Sequence, residues 1–324
     1  MDRRHFSQLG VGTALFALIR SSHAQANYPA KPIRILVGYS AGGAVDLIAR
    51  AIAQQLQQTL GQSVIVENKP GAGSNIATRS MIDAPSDGYT LMMAANAVAA
   101  NVSLFQPPPF DIAADIAAIS LVGRVPVVIA VPSNSELDSL AKLIDAARKK
   151  PQTITYGSPG NGATPHLAIE LFERAAGIQL THVPYKGGTQ AITDTIGGQV
   201  NAVAVNALEV QPHVKSGRLK VLAVMSKSRT TLMPDVPTIA ESGFAGFEAA
   251  VWYGLIAPSA TPKPIIARLH AEVQKALESQ DVKTRLLSSG GEVNPGSIEQ
   301  FASLLASEKI RYERVIKQAG IKPD

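Results

Sequence analysis

Short β-branched runs alternate along this chain with stretches whose apolar positions recur every three to four residues. A strand buried on both faces reads as a continuous apolar run, while a crossover helix buries one stripe, so the alternation predicts parallel α/β units. Residues 33–37 predict a first strand, and 46–60 a helix with Leu47, Ile48, Ala51, Ile52, Leu56 and Leu60 on one face, stopped by Gly61. Strands at 64–66 and 91–95 follow, separated by the 69–73 loop, a further helix and the Ser86-Asp87-Gly88 turn. Pro107-Pro108-Pro109 predicts a surface loop, because proline has no N–H for a ladder.

A strand at 127–131, ended by Pro132, leads to a helix at 137–149, and the cycle restarts. Strands are expected at 154–157, 181–184, 202–205 and 219–225, with helices from about His166, from Thr189 and near Val210. The β-like run 247–257 has no evident place in this second set, and helical patterns at 264–277, 282–288 and 298–318 close the chain. The simplest topology crosses into a second domain near residue 126 and returns near residue 250. Two doubly wound α/β domains, 27–125 plus 250–324 and 126–249, would then share a hinge and a central cleft. The length favours two cores over one.

Two glycine-rich turns stand out, one in each expected domain: Gly38-Tyr39-Ser40-Ala41-Gly42-Gly43 before the first helix, and Gly157-Ser158-Pro159-Gly160-Asn161-Gly162-Ala163-Thr164 before the helix near His166. A helix start leaves N–H groups without intrahelical partners and carries partial positive charge, and glycine lets a ligand approach the backbone. Two such starts facing each other would hold a small molecule that is negative at both ends. No lysine or arginine lies in either loop, so hydrogen bonds would do the neutralising, with Ser40, Ser158 and Thr164 adding hydroxyls.

Residues 1–26 combine Arg3-Arg4, an apolar stretch and the small-residue exit Ala24-Gln25-Ala26, which predicts an export signal cleaved near Ala26. The apolar stretch is shorter than the roughly 20 residues a membrane span needs. Cleavage changes 30 basic and 25 acidic side chains to 27 and 24, a net charge near +3. That mild, dispersed balance is unlike the clustered basic face of a nucleic-acid binder. The chain has no cysteine, which excludes disulfides, thiolate metal sites and a lipid-anchored N-terminus. A soluble monomer in the periplasm is expected.

The order of several motifs carries a resemblance. They are Gly42-Gly43-Ala44-Val45-Asp46 with Ala49-Arg50, Asn68-Lys69-Pro70-Gly71-Ala72-Gly73, Asp87-Gly88-Tyr89-Thr90-Leu91, Tyr156-Gly157-Ser158 with Gly160 and Gly162, His182-Val183-Pro184-Tyr185-Lys186-Gly187, Gly197-Gly198-Gln199-Val200, Pro234-Asp235-Val236-Pro237-Thr238 and Trp252-Tyr253-Gly254-Leu255. In this series the chain resembles the Bug family, the periplasmic solute-binding proteins of tripartite tricarboxylate transporters. The resemblance implies a Venus-flytrap closure on a small carboxylate and delivery to a membrane permease, with no catalysis, cofactor or metal. It implies ligand contacts at Tyr39, Ser40, Ala41, Gly42 and Gly43 in the first loop, and at Ser158, Gly162, Ala163 and Thr164 in the second. Asn96, Tyr185 and Asn206, each after a strand, are expected to line the cleft.

Many relatives carry an aspartate where this chain has Val205, and Asp46 is expected to order its own loop, so no certain counter-charge awaits an ammonium group. A dicarboxylate or aromatic acid is the expected ligand. An exported α/β enzyme acting on a carboxylic acid, or a receptor serving a sensor kinase, remain alternatives. Against the enzyme, Ser158 lacks a nucleophile-elbow pattern, and His166 and Asp46 have structural readings.

Overall fold

A computed structural model describes residues 28–230, 232–287, 292–293 and 295–321. The export-signal reading falls outside these residues. Ten strands are described: β1 (Ile33–Val37), β2 (Val64–Asn68), β3 (Thr90–Ala95), β4 (Ile116–Pro132), β5 (Thr155–Ser158), β6 (Thr181–Pro184), β7 (Ala202–Asn206), β8 (Leu219–Val224), β9 (Ala250–Pro258) and β10 (Glu292–Val293). They pair in the order β2-β1-β3-β9-β4-β7-β5-β6, with β8 and β10 also on β4. β1 is parallel to β2 and β3, and β5 to β6 and β7, as crossover helices require.

The 17-residue β4 joins two half-sheets. From Ile116 to Pro126 it pairs antiparallel with β9, and from Val127 onward with β7 and β8. The sequence pattern places a strand at 127–131, whereas the observed strand already starts at Ile116 and runs through Gly123 and Pro126. Pro126 is tolerated where the ladder changes partners, since a missing N–H matters least at such a junction. The 247–257 run finds its place as β9, antiparallel between β3 and β4. Its alternation explains why it is so apolar: Val251, Tyr253, Leu255 and Ala257 enter one core cluster, and Trp252 and Ile256 another.

The helices Ala44–Leu60 and Lys263–Glu278 cover one face of the first half-sheet. The C-terminal helix Ile298–Ala319 lies on its other face, where Phe301 meets Trp252 edge to face at 5.6 Å. A capping box between Ser297 and Gln300 starts that helix. Among the described residues, no helix is long and apolar enough to cross a membrane.

Candidate functional site

The first glycine loop joins β1 to the Ala44–Leu60 helix and is held by Asp46 in that helix's first turn. Asp46 Oδ2 accepts hydrogen bonds from the Gly42 N–H and Arg50 Nε, both at 2.9 Å, and Oδ1 accepts one from Asn68 Nδ2 at 2.9 Å. The same Asn68 amide donates to Tyr39 O. Burial would push the Asp46 carboxyl upward, yet these bonds hold it below its ordinary value. Asp46 is thus committed to shaping the loop. Ser40 reaches the other half of the molecule: its N–H and hydroxyl both donate to Lys186 O, at 3.1 and 3.0 Å.

The second loop joins β5 to the Thr164–Ala176 helix, whose first turn contains Pro165. Ser158 is fully buried, and its Oγ lies 2.7 Å from His182 Nε2 and 3.2 Å from both the N–H and the carbonyl of Gly160. The His182 ring stacks on His166 at 4.0 Å. Burial, with the neighbouring His166, lowers His182 to about 3. Burial thus disfavours a protonated imidazole here, and the Ser158–His182 hydrogen bond ties the second loop to β6. The Gly162 N–H donates to His166 Nδ1 at 3.1 Å, which places the proton of neutral His166 on Nε2, toward Glu170.

Between the two half-sheets lies a narrow cavity of about 20 Å³, enough for a single water. Tyr39, Gly43, Ala163, Thr164 and Asn206 line it, so five of the expected site residues converge here from both halves. The helix starts at Ala44 and Thr164 both open onto it. The other expected residues lie off this lining. Ser158 and Gly162 shape the second loop from behind, and Ala41 and Gly42 are exposed. The Tyr185 hydroxyl is bound to Asp194 at 2.8 Å. Asn96 is 1 % exposed and holds a buried network, donating to Glu308 Oε2 and Tyr312 OH and accepting from the Trp252 N–H. A larger groove running past Ser133, Arg148 and Phe244 shares no residue with either glycine loop.

Sequence reasoning missed Glu209, in the first turn of the Ala207–Lys215 helix. It lines the same cavity and is 8 % exposed. Asn206 Nδ2 donates to its Oε1 at 2.9 Å, and the backbone N–H groups of Ala44 and Asn206 point toward the carboxyl. Burial nevertheless pushes Glu209 above its ordinary value. Burial also raises the phenols of Tyr39 and Tyr253, and the Glu209 carboxyl raises them further. The glycines at 43 and 188 leave room for this carboxyl, a pairing that only the fold brings about.

Residues 48–321 match the model of the tripartite tricarboxylate transporter family receptor. BugT of Bordetella pertussis strain Tohama I is 35 % identical over 297 residues, covering 91 % of both chains. The structure of Rpa4515 from R. palustris with adipate is similar at 33 % identity and a TM-score of 0.87, over 92 % of this chain and 100 % of that one. MatC from Rhodopseudomonas palustris with bound malate is similar at 29 % identity and a TM-score of 0.85, over 89 % of this chain and 100 % of that one. The match along nearly the whole chain agrees with the two opposed glycine loops and the shared β4: this protein belongs to the Bug family of tripartite tricarboxylate transporter receptors.

Proposed function

We propose that this chain is a periplasmic receptor that captures a small organic carboxylate in the cavity between its half-sheets and delivers it to a tripartite tricarboxylate permease. The observation that carries the reading is the convergence of two helix starts, at Ala44 and Thr164, on one cavity lined from both halves. The adipate and malate of the two similar structures are in keeping with it. Residues 27–125 plus 250–324 would move as one body and 126–249 as the other, hinged where β4 exchanges β9 for β7 and β8. Export with cleavage near Ala26 would leave a free, monomeric receptor.

A thermal-shift screen of mono- and dicarboxylates, aromatic acids and amino acids tests this. A true ligand at a hundredfold excess over Kd stabilises the protein by about 2.7 kcal/mol, a readily measured rise in Tm. Scattering with the best ligand should give a smaller radius of gyration. Loss of uptake of that ligand on deleting either receptor or permease would tie the two together. No shift with any carboxylate would refute the reading.

A further inference from the structure

The Glu209 carboxyl reaches into the cavity against two other helix starts. Its Oε2 lies 3.6 Å from where a Cβ on Gly43 would sit and 1.8 Å from the corresponding point on Gly188, so a side chain at Gly188 would displace it. Oε1 is engaged by Asn206, and the Ala44 and Asn206 N–H groups approach the carboxyl, yet among the described residues Oε2, Asn206 Oδ1 and the Tyr253 hydroxyl make no hydrogen bond of good geometry. All three residues are more than nine-tenths buried and line the same cavity. Oxygens of a carboxylate and of an amide side chain accept hydrogen bonds and donate none, and in a buried site they are costly when left unmade. A second ligand carboxylate brought to this end would meet a carboxyl and an amide oxygen, with a phenol as the available donor. A cationic donor would satisfy all of them and offset the Glu209 charge.

We infer that the cleft selects a carboxylate that also carries an ammonium group. The ammonium is held by Glu209 Oε2, Asn206 Oδ1 and the Tyr253 hydroxyl, and the ligand carboxylate lies at the Ala163–Thr164 helix start. The inference rests on the carboxylate-receptor reading and narrows it from small organic carboxylates to amino-carboxylates. It replaces the expectation that no counter-charge awaits an amine.

The test is calorimetry of the exported protein with matched sets of probes. Glycine, β-alanine, γ-aminobutyrate, δ-aminovalerate, aspartate, glutamate and leucine are each compared with the acid lacking the amine and with the dicarboxylate of equal chain length. The expected result is an amino-carboxylate binding at least about tenfold more tightly than both of its counterparts. Glu209→Gln, similar in size but uncharged, should abolish that preference, the amino-carboxylate losing more affinity than its amine-free counterpart, and Glu209→Asp should restore part of it. A dicarboxylate that outcompetes every amino-carboxylate, or a preference that survives Glu209→Gln, overturns the inference and leaves the carboxylate-receptor reading standing. No binding of any carboxylate overturns both. Should Glu209→Gln fail to fold, the ranking on the native protein decides.

Discussion

Gly73 offers a direct way to ask whether the closed arrangement is the one that grips ligand. It follows β2 in the first half, with φ +59°, and a Cβ added to it would lie 2.6 Å from the backbone oxygen of Asn161 in the second glycine loop. That oxygen belongs to the main chain and cannot swing aside. Gly73→Ala therefore carries two separable costs. The left-handed backbone disfavours alanine by about 1–2 kcal/mol whether the halves are together or apart. The overlap with Asn161 arises only when they meet, and overpacking of this kind costs about 1–3 kcal/mol. If closure grips the ligand, the second cost enters the affinity, and Kd should rise by roughly 5- to 150-fold. Gly61→Ala is the control, because Gly61 has φ +66° and nothing within 4 Å of its added Cβ. Titration calorimetry with the tightest carboxylate of the screen, alongside urea unfolding of each variant, separates the two costs. Gly61→Ala should lose stability and keep its Kd, and Gly73→Ala should lose a similar stability and also weaken binding. Unchanged affinity in a folded Gly73→Ala protein would refute the reasoning, since the Gly73–Asn161 contact would then be no part of the liganded arrangement.

Two further substitutions test the rest. Burial raises the Glu173 carboxyl to about 7, with the Leu180 N–H opposing and Glu170 assisting, so the native state holds a proton that the unfolded chain, near 4.5, has lost. Stability should accordingly fall as pH rises from about 4.5 to about 7 and level off above; Glu173→Gln should remove that slope and gain about 2 kcal/mol at pH 8, allowing for solvent screening, in urea unfolding at several pH values. Asn96→Ala strips partners from the Trp252 N–H, Glu308 and Tyr312, and should cost about 2–4 kcal/mol in the same assay. Asn96 is off the cavity lining, so Kd should not move; a tenfold loss of affinity at unchanged stability would return Asn96 to the cleft.

What the sequence reveals and what it hides divide along the distance over which each feature is fixed. The β1 and β5 starts, the helices after them and the loop-ordering role of Asp46 follow from local patterns, because Gly42 and Arg50, two of the partners of Asp46, each lie four positions from it. The reach of β4 and the place of β9 do not, since Pro126 and Gly123 are acceptable only where strands from remote segments meet. The same holds for side chains. Ser158 looks like a free hydroxyl in a glycine loop until His182, 24 positions away, is brought beside it. Asn96 looks like a cleft residue after a strand until Tyr312, 216 positions away, takes its amide.

Glu209 also alters what two opposed helix starts mean in this molecule. An acidic residue in a first helical turn is ordinary, favoured by its own helix dipole, so Ala207-Leu208-Glu209-Val210 gives no warning of a site. Yet the carboxyl lies against the starts of the helices at Ala44 and Gly188, each contributing about half a positive charge. When ionised, against the opposition of its burial, Glu209 supplies from the chain itself the anion that those two starts favour. The helix start at Thr164 has no such internal anion on the cavity lining. On the amino-carboxylate inference the cleft is asymmetric, with N–H groups for a carboxylate at one end and acceptor oxygens at the other. That inference makes specificity depend on what the ligand presents to Glu209.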